Sequence, residues 1–209
     1  AALYRYCPAV YFGTLTAWGI VPFRVPFLDS EAVLSSLQCT RQGIDVYREN
    51  PCDAILLPFG YSPLILEAAI LPVTVAWTKW TGLVLVLAYF LCVASLPAPR
   101  GPRERIAMAL AVLSTMSVFA VERGNIDLLI FLLMTLVGHL ARGRTPARMS
   151  AYAIVLFAAI LKYYPVVVLV AALRERPRRF LGIAAAAAIV LVLFVTHYWH
   201  ALGKAMTRV

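Results

Sequence analysis

Apolar runs separated by short charged joints set the pattern of this chain. They occupy residues 7–23, 77–96, 106–121, 126–141, 149–173 and 180–197. A helix needs roughly 20 apolar residues to cross a bilayer, and the first run is somewhat short of that. The only extended polar region lies at residues 24–60, and "YSPLILEAAILPVTVAWTKW", interrupted by Pro63 and Pro72, suits a short interfacial helix. The pattern predicts an all-α, polytopic transmembrane helical protein. It has an outer loop with interfacial helices over residues 24–76 and a transmembrane bundle over 77–197, together one membrane domain.

Residues 149–173 do not fit a simple count of spans. They lie between two arginine-rich joints, and 25 residues cannot cross a bilayer twice as full helices. "KYYP" stands in their middle, and Pro breaks a helix by removing a backbone donor. The pattern therefore predicts a re-entrant helical hairpin that turns at Lys162–Pro165. The competing reading is a kinked single span. Broken helices at membrane depth are tolerated where they are buried in protein or line a cavity.

Composition agrees with membrane helices. The 209 residues are 62% hydrophobic and 14% charged, against about 25% charged in a soluble domain. Mean hydropathy is +0.83. The net charge of +9 does not point to nucleic acid, because the basic residues sit in short loops and form no continuous basic face. Joints 98–105, 142–148 and 174–179 hold ten Arg and two acids, whereas 24–60 holds three Arg and five acids. Basic joints face the cytoplasm, so the 24–60 loop and the joint "VERGNID" face out. That outer face is periplasmic or lumenal, and a bacterial inner membrane is the expected location. The chain begins without Met and stops just past an apolar run, which reads as a fragment or trimmed ends.

Cys7 and Cys92 lie in apolar runs, where packing explains them. Cys39 and Cys52, 13 residues apart in the outer loop, are placed where a disulfide can form. No CxxC or His cluster supports a metal site, and no fingerprint calls for a cofactor.

The ionisable residues in or beside apolar runs are the candidates for chemistry. Asp29 follows the first run, and "DSEA" equally suits a helix cap at Asp29 or Ser30 of a short helix through Leu37. The joint at 121–127 packs Glu122, Arg123, Asn125 and Asp127 around Gly124. Turn chemistry accounts for each singly: Gly124 as a C-terminal cap, Asn125 as an N-cap, Asp127 as a first-turn acid. Lys162 stands at the expected hairpin turn, where a cation suits a phosphate. Tyr163 and Tyr164 fit either an interfacial belt or stacking on a sugar ring.

Two blocks carry a resemblance. "PFLDSEAVLSSLQCTRQGIDVYRENPCD" followed by "YSPL" resembles the start of GT-C superfamily membrane glycosyltransferases. The block from "VERGNIDLLIF" through "ARGRTPAR" to "LKYYPVVVLV" resembles the polyprenol-phosphate-mannose-dependent mannosyltransferase-like group. The matching residues are Gly124, Asn125, "RGRTPAR", Lys162 and Pro165. The group more often has Gln after the Gly, where this chain has Asn125. The resemblance implies sugar transfer, possibly of mannose, from a polyprenyl-phosphate-linked donor to a lipid or glycan acceptor of the cell envelope. The reaction takes place on the outer face, among membrane lipids. It implies an outer-loop acid as general base: Asp29 first, Glu31 second, Asp45 third. Lys162 or Arg123 then stabilises the departing phosphate, while Glu122, Asn125 and Asp127 hold sugar hydroxyls or orient Arg123. The alternatives are a transporter or flippase of lipid-linked sugars or small anions, an oligosaccharide polymerase or ligase, and a structural subunit. Absence of a repeat between the chain halves leans toward an enzyme.

Overall fold

The computed structural model describes residues 2–206. Ala1 and residues 207–209, where the trimmed-end reading falls, lie outside the described residues. Helices account for the regular structure, with no strand among the described residues. The helices are α1 (Ala2–Tyr6), α2 (Pro8–Ala17), α3 (Leu28–Arg41), α4 (Thr78–Ser95), α5 (Pro102–Val112), α6 (Thr115–Arg123), α7 (Ile126–Leu140), α8 (Thr145–Leu161), α9 (Pro177–His197) and α10 (Trp199–Met206). Three 3₁₀ helices, Pro63–Ile70, Val75–Trp77 and Tyr164–Arg174, complete the set. The chain divides into two compact units: residues 2–30 with 79–128, and residues 31–78 with 129–206.

Val75–Ser95 and Pro177–His197, 21 residues each, are long and apolar enough to span a membrane. These match the expected runs at 77–96 and 180–197. Three other expected spans differ. The run at 7–23 forms only the ten-residue α2. It stops because Gly19 takes φ 75, and the amides of Gly19 and Ile20 return to the carbonyls of Thr16 and Leu15. This is the Schellman stop, which glycine adopts without strain. The run at 106–121 is bent by 44° between α5 and α6. Ser114 caps the new helix by accepting from the Ser117 amide. Trp18 satisfies the break: its Nε1 donates to Leu113 O at 2.9 Å and its own carbonyl accepts from Thr115 Oγ1. The run at 126–141 gives the 15-residue α7, about 22 Å long at 1.5 Å per residue, short of the ~30 Å core.

In the second unit the hairpin is present. Helix α8 ends at Leu161, Lys162 is extended, and the 11-residue 3₁₀ helix Tyr164–Arg174 runs back. Such 3₁₀ runs rarely exceed 3–4 residues. The arms are about 25 Å and 22 Å long at 1.5 and 2.0 Å per residue. Their far ends are tied together: Arg148 Nε and Nη2 donate to Glu175 Oε1 and Oε2 at 2.6 and 3.2 Å. Tyr152 donates to Ala171 O and Glu175 Oε1. A kinked span would leave residues 148 and 175 at opposite ends, so this pairing excludes it.

The other end of that unit is the polar loop that follows α3. The Cys39–Cys52 disulfide forms, with Cα atoms 5.9 Å apart, beside buried Val46, Tyr47 and Phe59. Asn50 is buried and donates to Ser35 Oγ and Ser36 Oγ on α3. Ala201 and Ala205 of α10 pack on the same cluster. Lys204 donates to Asp45 Oδ2 at 2.6 Å, and Tyr198 to Glu67 Oε1 at 2.9 Å. The Lys162 ammonium lies 5.8 Å from the Tyr61 ring centroid. Within this unit the hairpin tip and the C-terminal end of α9 thus sit with the disulfide-bearing loop, and the joints 142–148 and 174–179 sit at the opposite end.

Candidate functional site

In the first unit the joint after α6 and the start of α3 close on one another. Gly124 is left-handed at φ 56, ψ 43, and the amides of Gly124 and Asn125 return to Val121 O and Ala120 O. This is a second Schellman stop. It frees Asn125 for two tasks. Its Oδ1 accepts from the Asp127 amide at 2.8 Å, capping α7, and its Nδ2 donates to Asp29 Oδ2. Asn125 therefore caps α7 and bonds Asp29 at the same time. Asp29 lies within the first turn of α3, whose first residue is Leu28, rather than ahead of it as a cap. A carboxylate there is favoured by the helix dipole.

Arg123 lies beside the same carboxylate, its Nη1 3.8 Å from Asp29 Oδ1. The guanidinium is stacked between Phe23 and Phe119, 4.3 and 4.8 Å from the ring centroids, as planar Arg cations favour. Its Nη2 donates to Val21 O at 3.3 Å. Glu122 Oε2 lies 3.1 Å from Arg123 Nε as an ion pair. The alignment falls short of a hydrogen bond, and neither atom has one among the described residues. Glu122 Oε1 accepts from Tyr11 at 3.2 Å. The Arg123 and Glu122 side chains are 10% and 4% exposed, whereas Asp29 is 17% exposed. A buried guanidinium clamped between two rings thus lies beside a more accessible carboxylate.

Phe27 fixes where α3 begins. It takes φ 56, uncommon for a non-glycine residue, and its amide donates to Glu122 O at 3.3 Å. The ring lies on Gly82 of α4 and against Gly124: a Cβ at Gly82 would fall 2.2 Å from Phe27 Cγ, and one at Gly124 2.5 Å from Ser30 Oγ. Ser30 Oγ donates to Gly124 O at 2.7 Å. Sequence reasoning missed Phe27, Gly82, Tyr11, Phe23 and Phe119. The one available signal was Gly82, a lone glycine inside an apolar helix, which marks a close approach.

The other predicted residues belong to the second unit. Glu31 is buried; Oε1 accepts from the Ala54 amide at 3.2 Å, while Oε2 has no hydrogen-bond partner from a side-chain or backbone donor among the described residues. Burial, then the neighbouring Asp53 charge, raises Glu31 to about 7. Asp53 in turn accepts from the Ile55 and Leu57 amides, so this pair holds the loop. The Lys204 ammonium keeps Asp45 below the usual carboxylate range. Lys162 is half-buried at the hairpin tip and Tyr163 is exposed, its ring edge-on to Tyr164. No group of three or more His, Cys, Asp or Glu fit for a metal exists among the described residues.

The family model for glycosyltransferase family 87 matches residues 56–206. The match takes in Glu122, Arg123, Asn125, Asp127, Lys162 and Tyr163, and starts after Asp29 and Glu31. No curated protein and no solved structure matches the chain at a significant level.

Proposed function

The chain belongs to glycosyltransferase family 87, a family of GT-C type membrane glycosyltransferases, and we propose that it moves a sugar from a polyprenyl-phosphate donor to a lipid or glycan acceptor, with Asp29 as general base. Membership decides for a transferase over a transporter. The observation that carries the assignment of the base is the Asp29 carboxylate. It is held by Asn125 and Arg123 at the start of α3 and remains accessible. Glu31 and Asp45 are weaker candidates: the first is buried and bonded to the Ala54 amide, the second is paired with Lys204.

In this reading Asp29 takes the proton of an acceptor hydroxyl as its oxygen attacks the anomeric carbon. The bond from that carbon to the lipid phosphate oxygen breaks, and the phosphate leaves with the electron pair. General-base help is worth about 10²–10⁴ in rate. Arg123 and Glu122 act as positioning residues through Asp29, and Asp127 and Tyr163 are candidates for sugar contact. Lys162 is the candidate counter-charge for the leaving phosphate, since a pre-placed cation stabilises charge that develops in the transition state. The working face is the outer side of a multi-pass protein in a bacterial inner membrane.

The test supplies purified protein in detergent with radiolabelled sugar on polyprenyl phosphate or on a nucleoside diphosphate. Transfer from the lipid donor alone is expected, with Lys162→Ala raising KM for it more than Lys79→Ala does. Transfer from the nucleotide sugar alone contradicts the donor class.

A further inference from the structure

The end of the second unit opposite the outer loop carries a concentration of arginine that sugar transfer does not use. Residues 142–148 and 174–179 hold Arg142, Arg144, Arg148, Arg174, Arg176, Arg178 and Arg179 against one acid, Glu175. The fold makes these two segments one surface. Arg148 binds Glu175 through both carboxylate oxygens, Arg179 Nη1 donates to Thr145 Oγ1 at 3.3 Å and lies 3.9 Å from Glu175. The single acid is therefore buried and already shared between two arginines. Arg142, Arg144, Arg174, Arg176 and Arg178 are exposed and enter no ion pair among the described residues.

Local electrostatics leaves this surface unneutralised. Arg144 and Arg176 occupy the N-cap positions of α8 and α9, neither helix has a side-chain cap, and neither has an acid in its first turn. Helix N-termini favour negative charge, so arginines there add to an existing positive field. The depth of the surface follows from α9. An 18-residue stretch of this 21-residue helix has mean hydropathy 2.4, so when α9 crosses the bilayer, Arg176, Arg178 and Arg179 at its start lie at headgroup level. Guanidinium forks match phosphate oxygens two at a time.

We propose that this surface is a docking site for anionic phospholipid headgroups of the adjacent leaflet, holding the open end of the hairpin, where its two arms meet, against the membrane. Charge complementarity and depth select the occupant: a bilayer offers phosphate at that level, already concentrated in two dimensions. Each arginine near an anionic lipid surface contributes roughly fivefold in affinity, so three together contribute on the order of a hundredfold.

The experiment uses the whole protein in neutral detergent, with bound lipid read by native mass spectrometry. The probes are phosphatidylglycerol, phosphatidylcholine and inorganic phosphate. Wild type is expected to retain phosphatidylglycerol and not phosphatidylcholine, and inorganic phosphate at equal concentration is expected not to displace it. Arg174→Gln/Arg176→Gln/Arg178→Gln leaves the Arg148–Glu175–Arg179 tie intact and is expected to weaken phosphatidylglycerol binding by about a hundredfold. Arg24→Gln/Arg41→Gln/Arg48→Gln removes the same charge from residues 24–60, on the opposite face, and is expected to change it by less than fivefold. Equal loss in the two triple variants, equal retention of the two lipids, or displacement by inorganic phosphate each overturns the proposal.

Discussion

Gly82→Ala tests how the fold positions Asp29. The added Cβ would stand 2.2, 2.5 and 2.7 Å from Cγ, Cδ2 and Cδ1 of Phe27, where carbon pairs prefer about 3.5–4.0 Å. The ring must therefore retreat by more than about 1 Å. It has little room, since the Cβ position of Gly124 lies 3.2 Å from Phe27 Cδ1 on another side and the Phe27 amide is fixed on Glu122 O. The displacement passes to Asp29, two residues along. Overpacking costs typically about 1–3 kcal/mol, and a misplacement near 1 Å costs on the order of 10²-fold in rate. Sugar transfer and thermal unfolding, measured together, should both fall in Gly82→Ala. Phe27→Gly in the same chain removes the ring and suits φ 56, so the double variant should recover melting temperature. Gly82→Ala with wild-type stability and activity would refute the reasoning.

Three further outcomes are expected. Glu31 is raised from 4.5 to about 7 in the fold, so the stability it contributes is complete below pH 4.5 and is lost as pH rises through 7; Glu31→Gln should therefore raise the melting temperature at pH 8 and change it little at pH 4.5, and an equal shift at both contradicts this. Cys39→Ser/Cys52→Ser should lose about 3 kcal/mol, the loop-entropy value for a ring of this size, and an unchanged denaturation midpoint contradicts it. Single cysteines at exposed Glu49 and Arg144, in a chain with its native free cysteines removed, should label from opposite sides of the membrane; labelling from the same side contradicts the topology.

What was legible in the sequence was whatever local pattern determines. The two longest apolar helices, the turn at Lys162, the cysteine pairing and the capping roles of Gly124 and Asn125 all follow from residues close together along the chain. The runs at 7–23 and 126–141 form helices shorter than expected and the run at 106–121 is bent, because apolar length alone does not reveal where a helix stops or bends. Gly19 ends α2 with a left-handed turn, and the break at Ser114 depends on Trp18, 95 residues away from Leu113. The same limit applies to the site. Asp29 and the 121–127 joint were recognisable as candidates by polarity. That Asn125 and Arg123 reach Asp29, that two phenyl rings clamp Arg123, and that Phe27 rests on Gly82 are long-range contacts with no periodic signature. The resemblance implies Lys162 or Arg123 as the phosphate's counter-charge; the aromatic clamp on Arg123 and its bond to Val21 O are the contacts on which our proposal rests when it gives Arg123 a positioning role instead.

The most direct test of the central claim is kcat for sugar transfer from a polyprenyl-phosphate donor by wild type and Asp29→Asn. Asparagine keeps the size and the contact with Asn125 while removing the base. The account predicts a loss of about 10²–10⁴-fold in kcat, an unchanged melting temperature and a donor KM within a few-fold of wild type. Glu31→Gln and Asp45→Asn should keep most of the rate. Full kcat in Asp29→Asn, with the loss appearing in Glu31→Gln or Asp45→Asn instead, would contradict the assignment of Asp29 as the base.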